Sequence, residues 1–214
     1  MIRAYDNSFL FWSRRSLGMF LDYSVNTLSY PIEKIWTLFL GTGVSSSFAR
    51  GDSAVILGRS GIELVYDVLS ESGENTFSER PERKIYDSRS AEYWTGWSLA
   101  YYHWWTSLSF GEIEEFISIT EIRDLYFPYH EMDISQFVDK MEEIRKERIK
   151  GTKLKRLRES LDISQKELSD LSEVPVRTIQ QYEQRQKDIN RASAETVLRL
   201  SRALCTTMED LLEK

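Results

Sequence analysis

Apolar residues recur at helical spacing through most of this 214-residue chain. Leu17, Phe20 and Leu21, continuing into Ser24–Leu28, mark a first amphipathic helix. Pro31 suits the first turn of a second helix running to Leu40, because proline lacks an N–H that this position does not use. The run Ser60–Leu69 predicts a third. Glu71–Ser90 is polar, with Gly73, Asn75 and Pro81, and reads as a long exposed loop. Ala91–Leu108 then predicts a very aromatic helix, and Phe110–Tyr126 one or two short ones. From Asp133 to Arg158 the chain reads as a charged helical stretch. Its apolar residues Ile134, Phe137, Val138, Met141 and Ile144 share one face and should dock on the preceding core. Lys146–Lys155 is then expected to be solvated, with Gly151 as a break or hinge.

Beyond Gly151 the elements become shorter and better punctuated. Leu154, Leu157 and Leu161 fall on one face of a first helix. Ser164 and Glu167 have capping-box spacing, so the serine oxygen can take the N–H three residues on while the glutamate reaches back. Leu168 and Leu171 are the expected buried side of this second helix, and Ser172-Glu173-Val174 a short turn with Val174 inward. Pro175 opens a third helix, Val176–Glu183, with Ile179 and Tyr182 facing the core. Thr196, Val197, Leu200, Ala203 and Leu204 mark a fourth, and Met208, Leu211 and Leu212 a short fifth. Five short helices in this order suit a compact DNA-binding bundle.

Aromatic usage separates the two halves. Of ten Phe, six Trp and eleven Tyr residues, only Tyr182 follows residue 150. One shared core would not be so divided. The expectation is therefore an all-α chain with two domains, 1–150 and 151–214: an aromatic-rich helical unit ending in a charged linker helix, then a five-helix bundle. Charge divides as well. Residues 151–214 carry 12 Lys and Arg against 11 Asp and Glu, and the remainder 16 against 23, within a total of −6. Neither half is a polybasic tail, so any DNA contact must come from charges placed on one face.

Gln165-Lys-Glu-Leu, Val174, Thr178-Ile179, Tyr182-Glu183 and Leu200-Ser-Arg-Ala-Leu204 resemble the phage repressor/Cro family of helix-turn-helix domains, often called XRE-like. The resemblance implies that the third helix enters the major groove of double-stranded DNA. By motif position Val176, Arg177 and Gln181 would then face base edges, with Gln180 more peripheral. Gln165 would hold a phosphate through its side chain or the helix N-terminus. The residue types fit. Arginine offers two donors to guanine, glutamine a donor and an acceptor to adenine, and valine a surface for the thymine methyl. Arg185, Lys187 and Arg191 could neutralise phosphates and make binding salt-dependent. Outside such a motif the same side chains would read as a solvated polar face. Two positions depart from the family pattern. Pro175 stands where a capping Ser or Thr is frequent, and no glycine follows the recognition helix, where the chain reads Gln184-Arg185-Gln186-Lys187. Cys205 sits where the family often turns with glycine and is expected to be a half-buried structural thiol.

The N-terminal region offers weaker chemistry. Gly41–Ser47 is glycine-rich but lacks the Gly-Lys-Ser/Thr ending of a phosphate loop, and a simple turn is expected. His130-Glu131-Met132-Asp133 has ligand-type side chains without further partners, and one cysteine with two histidines does not suggest a zinc cluster. No metal, cofactor or catalytic constellation is expected. Trp94, Trp97, Tyr101 and Trp104/Trp105 recur at helical spacing, which favours core packing over a partner groove or ligand pocket. Gly96 and Ala100, four apart, would let another helix approach closely. The longest dense apolar stretch, around Ile35–Leu40, is far short of the roughly 20 residues that span a bilayer. The first residues carry no secretory signal pattern, and a cytoplasmic protein is expected.

Ser60-Gly61-x-Glu63-Leu64, Glu92-Tyr93-Trp94-x-Gly96-Trp97-x-Leu99-Ala100-Tyr101-Tyr102-x-Trp104, Tyr129-His130-Glu131-Met132-Asp133-Ile134 and Thr178–Arg185 together resemble a helix-turn-helix family of Firmicutes. Its members are associated with operons holding a small ADP-ribosyltransferase-like protein. That resemblance implies a toxin–antitoxin role, with the N-terminal domain binding the toxin and the protein acting as an autorepressor; regulators of the helix-turn-helix fold often dimerise, so a homodimer is expected. The alternative is an enzyme or small-ligand sensor with an appended DNA-binding module, centred near His103, His130 or Glu131.

Overall fold

The computed structural model describes residues 3–74, 80–84 and 89–213. Among them every regular element is helical, and no strand is present. The chain divides into two compact units, Met1–Arg148 and Ile149–Lys214.

The first unit is organised on two helices, α1 (Leu10–Asp22, prolonged by a π turn over Tyr23–Thr27) and α6 (Ala91–Thr106). Here α2 is Ile32–Leu40, α3 Gly43–Ala49, α4 Ser53–Ile56 and α5 Gly61–Glu71. After α6 come α7 (Phe110–Glu114), α8 (Ile119–Asp124), α9 (Tyr126–Tyr129) and α10 (Ile134–Arg148). Helices α1 and α6 touch backbone to backbone. A Cβ on Gly96 would stand 2.3 Å from the Leu17 carbonyl oxygen, and one on Gly18 2.9 Å from that of Tyr93. Glycine at both positions is what lets the helices cross so closely, as the Gly96–Ala100 spacing suggested for α6.

Two aromatic clusters fill the space around this crossing. Trp36, Phe39, Phe48 and Phe110 pack with ring centroids from 5.1 Å (Trp36–Phe39) to 6.4 Å (Phe39–Phe48). Trp94 meets Tyr126 edge-on at 5.8 Å and Phe137 at 5.3 Å, which seats the apolar face of α10. Phe137, Val138, Met141 and Ile144 are buried there, while Ile134 is only partly so. Asp22, 2% exposed, needs compensation for its charge. It accepts two bonds from Arg83 at 3.0 and 3.1 Å, one from Ser90 Oγ at 2.6 Å and one from Asn26 at 3.1 Å. Ser90 also caps α6 through the Tyr93 N–H, so this buried carboxylate fixes where α6 begins.

Several expectations are corrected. Pro31 is the N-cap of α2 rather than its first turn. Helices α3 and α4 fall where no helix was anticipated; the two short helices expected over Phe110–Tyr126 are α7 and α8, and α9 begins at Tyr126. Gly41–Ser47 runs into α3, whose Gly43 N–H donates to the Glu71 carboxylate at 2.6 Å, so a carboxylate of the chain itself occupies that helix start. Within the polar stretch 71–90, residues 75–79 and 85–88 lie outside the described residues; the others after α5 are non-helical. The stretch 133–158 is broken. Helix α10 ends at Arg148, Gly151 adopts φ +84, and a new helix begins at Lys153. Thr152, Lys153 and Leu154 are buried instead of solvated, because Thr152 caps the new helix and the Lys153 N–H donates to Glu213 at 2.7 Å.

The two N-terminal histidines occupy different surroundings. His103 is 2% exposed, its Nδ1 is 2.6 Å from the Leu108 carbonyl, and its ring lies 4.6 Å from Phe110. His130 stacks on Tyr126 at 4.3 Å with Nδ1 3.0 Å from that residue's carbonyl.

Candidate nucleic-acid interface

The second unit contains α11 (Lys153–Ser160), α12 (Gln165–Ser172), α13 (Val176–Glu183), α14 (Ala194–Ala203) and α15 (Met208–Leu211), with a 3-10 turn at Ile189–Arg191. Its core gathers Leu154, Leu168, Val174, Ile179, Tyr182, Ile189, Val197, Leu200, Leu204 and Leu211. Two leucines expected inside are outside. Leu161 is 46% exposed because α11 stops at Ser160 and Asp162 turns left-handed at φ +54, so the i+7 projection is lost. Leu171 is 63% exposed because α12 turns Leu168 and Ser172 inward, and Leu171 lies a step of about 100° round the helix from Ser172. Ile163 and Leu157, both partly buried, pack against the core.

The turn between α12 and α13 is tightly specified. Ser164 and Glu167 form the expected capping box at the start of α12. At its end Glu173 adopts φ +56, in the left-handed region that favours glycine. Val174 is 4% exposed, its carbonyl accepts from Ser169 Oγ at 2.7 Å, and its N–H donates to Ser172 Oγ at 3.3 Å. Pro175 then caps α13 without a side-chain bond, its carbonyl accepting from Thr178 and Ile179. The missing hydroxyl is thus replaced by a backbone conformation that proline already favours.

Behind this turn lies an element that sequence reasoning overlooked. Arg158 of α11 donates Nε to Glu183 Oε1 at 2.7 Å and Nη2 to Oε2 at 3.1 Å, and its Nη1 reaches the Ile163 carbonyl at 2.8 Å. Both side chains are nearly solvent-free, at 10% and 2% exposure. The bond to Glu183 holds the Arg158 guanidinium above its ordinary pKa despite burial. Gln165 Nε2 donates to the same carboxylate at 2.8 Å, and Gln165 Oε1 accepts from Gln180 Nε2 at 3.3 Å. One buried ion pair therefore ties α11 to α13 and orients glutamines on α12 and α13. The signal was in the sequence: Ile179, Tyr182 and Glu183 lie at i, i+3 and i+4, so a glutamate on the inward face demanded a cationic partner.

The site residues fall into two sets. Gln165 and Gln180 are half-buried and bonded to each other, so the start of α12 retains its backbone N–H groups, not a free Gln165 side chain, for a phosphate. Val176 and Gln181 are half-exposed and Arg177 is exposed; among the described residues their side chains make no hydrogen bond or ion pair. Helix α13 thus has a locked inner face and an uncommitted outer one. Arg185 and Lys187 are exposed in the following loop. Arg185 takes φ +57, the conformation for which glycine is favoured, and its Nη2 is 3.2 Å from the Gly151 carbonyl. Arg191 lies 3.7 Å from Asp188, so a phosphate there would compete with an internal carboxylate. Cys205 is exposed, correcting the half-buried expectation, and its φ of +52 makes the left-handed turn anticipated for that position.

This arrangement is that of a known class. The helix-turn-helix family model HTH_3 matches residues 154–211, which form a helix-turn-helix domain of XRE-like type. No curated protein and no solved structure matches the chain. Among the described residues no helix is long and apolar enough to cross a membrane, and no three His, Cys, Asp or Glu residues are grouped to hold a metal ion.

Proposed function

We propose that the protein is a sequence-specific DNA-binding transcriptional regulator that lays α13 in the major groove. One observation carries the reading. The inner face of α13 is fixed by Ile179, Tyr182 and the Arg158–Glu183 pair, while the side chains of Val176, Arg177 and Gln181 have no hydrogen-bond or ion-pair partner among the described residues. A polar surface held rigidly and left unsatisfied is what base recognition requires. Arg177 reads guanine, Gln181 adenine and Val176 a thymine methyl. Arg185, Lys187 and the N-terminus of α12 hold phosphates. A unit with almost no net charge gains little from bulk attraction, so two copies acting as a homodimer supply the affinity. The whole-chain resemblance supports the finer reading: a cytoplasmic antitoxin that represses its own operon and binds the toxin through the aromatic N-terminal unit.

Enrichment of binding sites from random duplexes by the full-length protein tests this. The expected result is an inverted repeat with half-sites about one helical turn apart. Recovery of unrelated sequences would contradict sequence-specific recognition, and a single unpaired half-site would contradict the homodimer.

A further inference from the structure

The first unit contains a cavity of about 850 Å³ whose lining includes Arg14, Arg15, Arg83 and Arg89. Among the described residues that line it there is no Asp or Glu, although this half of the chain carries more acidic than basic residues. Arg83 is partly neutralised by Asp22 beneath it. Arg14 has no such relief: its guanidinium lies 3.2 Å from the centroid of Trp97, and its Nε and Nη2 are buried without an acceptor among the described residues. Burial pulls its pKa down to about 10. A desolvated guanidinium that shares its cavity with three other arginines is costly in the empty protein and becomes favourable when an anion enters.

A second, smaller cavity of about 270 Å³ is lined by Tyr93, Trp94, Trp97, Tyr126 and His130 together with Arg89. It shares Arg89, Tyr93 and Trp97 with the first. Arg14 lies 3.2 Å from the centroid of Trp97 and Arg89 4.8 Å from that of Tyr93, so guanidiniums and aromatic rings line the joined space together, a lining that matches a molecule carrying both clustered negative charge and a planar ring. The larger volume lies within the roughly 300–1,000 Å³ usual for small-molecule sites and far exceeds the need of a single phosphate.

We infer that this paired cavity binds a nucleoside polyphosphate, with the phosphates among the four arginines and the base against Tyr93, Trp94 and Trp97. This site stands independently of the DNA-binding reading, since no residue of the second unit takes part.

Calorimetric titration of the full-length protein with ATP, pyrophosphate and adenosine is the test. ATP is expected to bind at least about tenfold more tightly than pyrophosphate, and adenosine to give no heat. Arg14→Gln should weaken ATP at least about tenfold; since Arg14 is partly buried, Arg89→Gln at an exposed position serves as the second variant and should weaken it as well. Duplex binding in the absence of nucleotide should be unchanged in both. The inference fails if ATP does not bind by about 1 mM, if pyrophosphate binds as well as ATP, or if both variants keep parental affinity for ATP. Loss of duplex affinity in the variants would likewise overturn it, assigning the arginines to the DNA backbone.

Discussion

The two units solve the same packing problem with different materials. The first closes an aromatic core around a helix crossing that only glycine permits, with Gly18 and Gly96 replacing side chains by backbone contact. The second assembles a mainly aliphatic core, with Tyr182, around five short helices and fixes their mutual arrangement with one buried ion pair, Arg158–Glu183. In the first unit the tightest constraint is steric and falls on residues that carry no chemistry, with the buried Asp22 carboxylate setting where α6 begins. In the second, where each helix is too short to bury much surface, a directional charged bond selects it. That bond also acts on function, because it reaches through Gln165 and Gln180 to the helix proposed to read DNA.

The comparison can be broken at its strongest point first. Glu183→Ala takes from the buried Arg158 charge its close bidentate partner, leaving only the exposed Glu159 carboxylate at 3.5 Å, and the second unit should lose about 3–5 kcal/mol. Denaturant unfolding followed by circular dichroism would register this as loss or early melting of one transition. Replacing both partners together, by Arg158→Met with Glu183→Leu, should restore much of it. A cost below about 1 kcal/mol for the single variant would mean that the aliphatic core alone specifies this unit.

Next in size is Gly96→Ala. The added methyl would meet the Leu17 carbonyl at 2.3 Å and force α1 and α6 apart, so a loss of about 1–3 kcal/mol is expected. Unfolding monitored by tryptophan fluorescence reports it selectively, since all six tryptophans precede residue 150. A neutral result would remove the steric half of the contrast.

Acid should separate the units more gently. Arg148, hydrogen-bonded to Glu121, together with the Ser118 N–H, lowers the Glu121 carboxyl from 4.5 to about 2. A depressed carboxylate contributes stability above its unfolded pKa, and the contribution drains away as pH falls from about 4.5 towards about 2. Arg148→Gln should therefore flatten the fall in unit-one stability across that window. Glu121 is 44% exposed, so the effect should be smaller than either substitution above. Parallel curves for parent and variant would show that this pair contributes nothing.

How much of this was visible in the sequence differs between the units for the same physical reason. In the second, short-range signals decide the structure: the Ser164–Glu167 box, the Val174 turn and the inward Ile179 and Tyr182 all lie within a few residues of one another. Of the failures there, Leu161 comes from extending a helical face past the end of α11, and Leu171 from placing the inward face of α12 at i+3 from Leu168 where it continues at i+4, Ser172. Arg158–Glu183 was missed because its partners lie on different helices, 25 residues apart. In the first unit the local signals were also present but unread. Capping boxes at Ser60/Glu63, Ser109/Glu112 and Ser118/Glu121 begin three helices. What could not be read locally is the contact of Gly96 with Leu17, or the convergence of Arg14, Arg83 and Arg89 on one cavity. Those depend on how distant segments fold together. Of the candidate DNA contacts, residue type and motif position were legible; that Gln165 and Gln180 are tied to one another while Arg177 and Gln181 stay uncommitted was not.

The central claim is that the outer face of α13 reads sequence. Fluorescence anisotropy with the enriched duplex and a scrambled one, at one fixed salt concentration, tests it most directly. Arg177→Ala with Gln181→Ala should cost about 1–3 kcal/mol per lost base contact on the enriched site, while leaving the scrambled duplex nearly unaffected. An unchanged difference between the two duplexes would contradict the account.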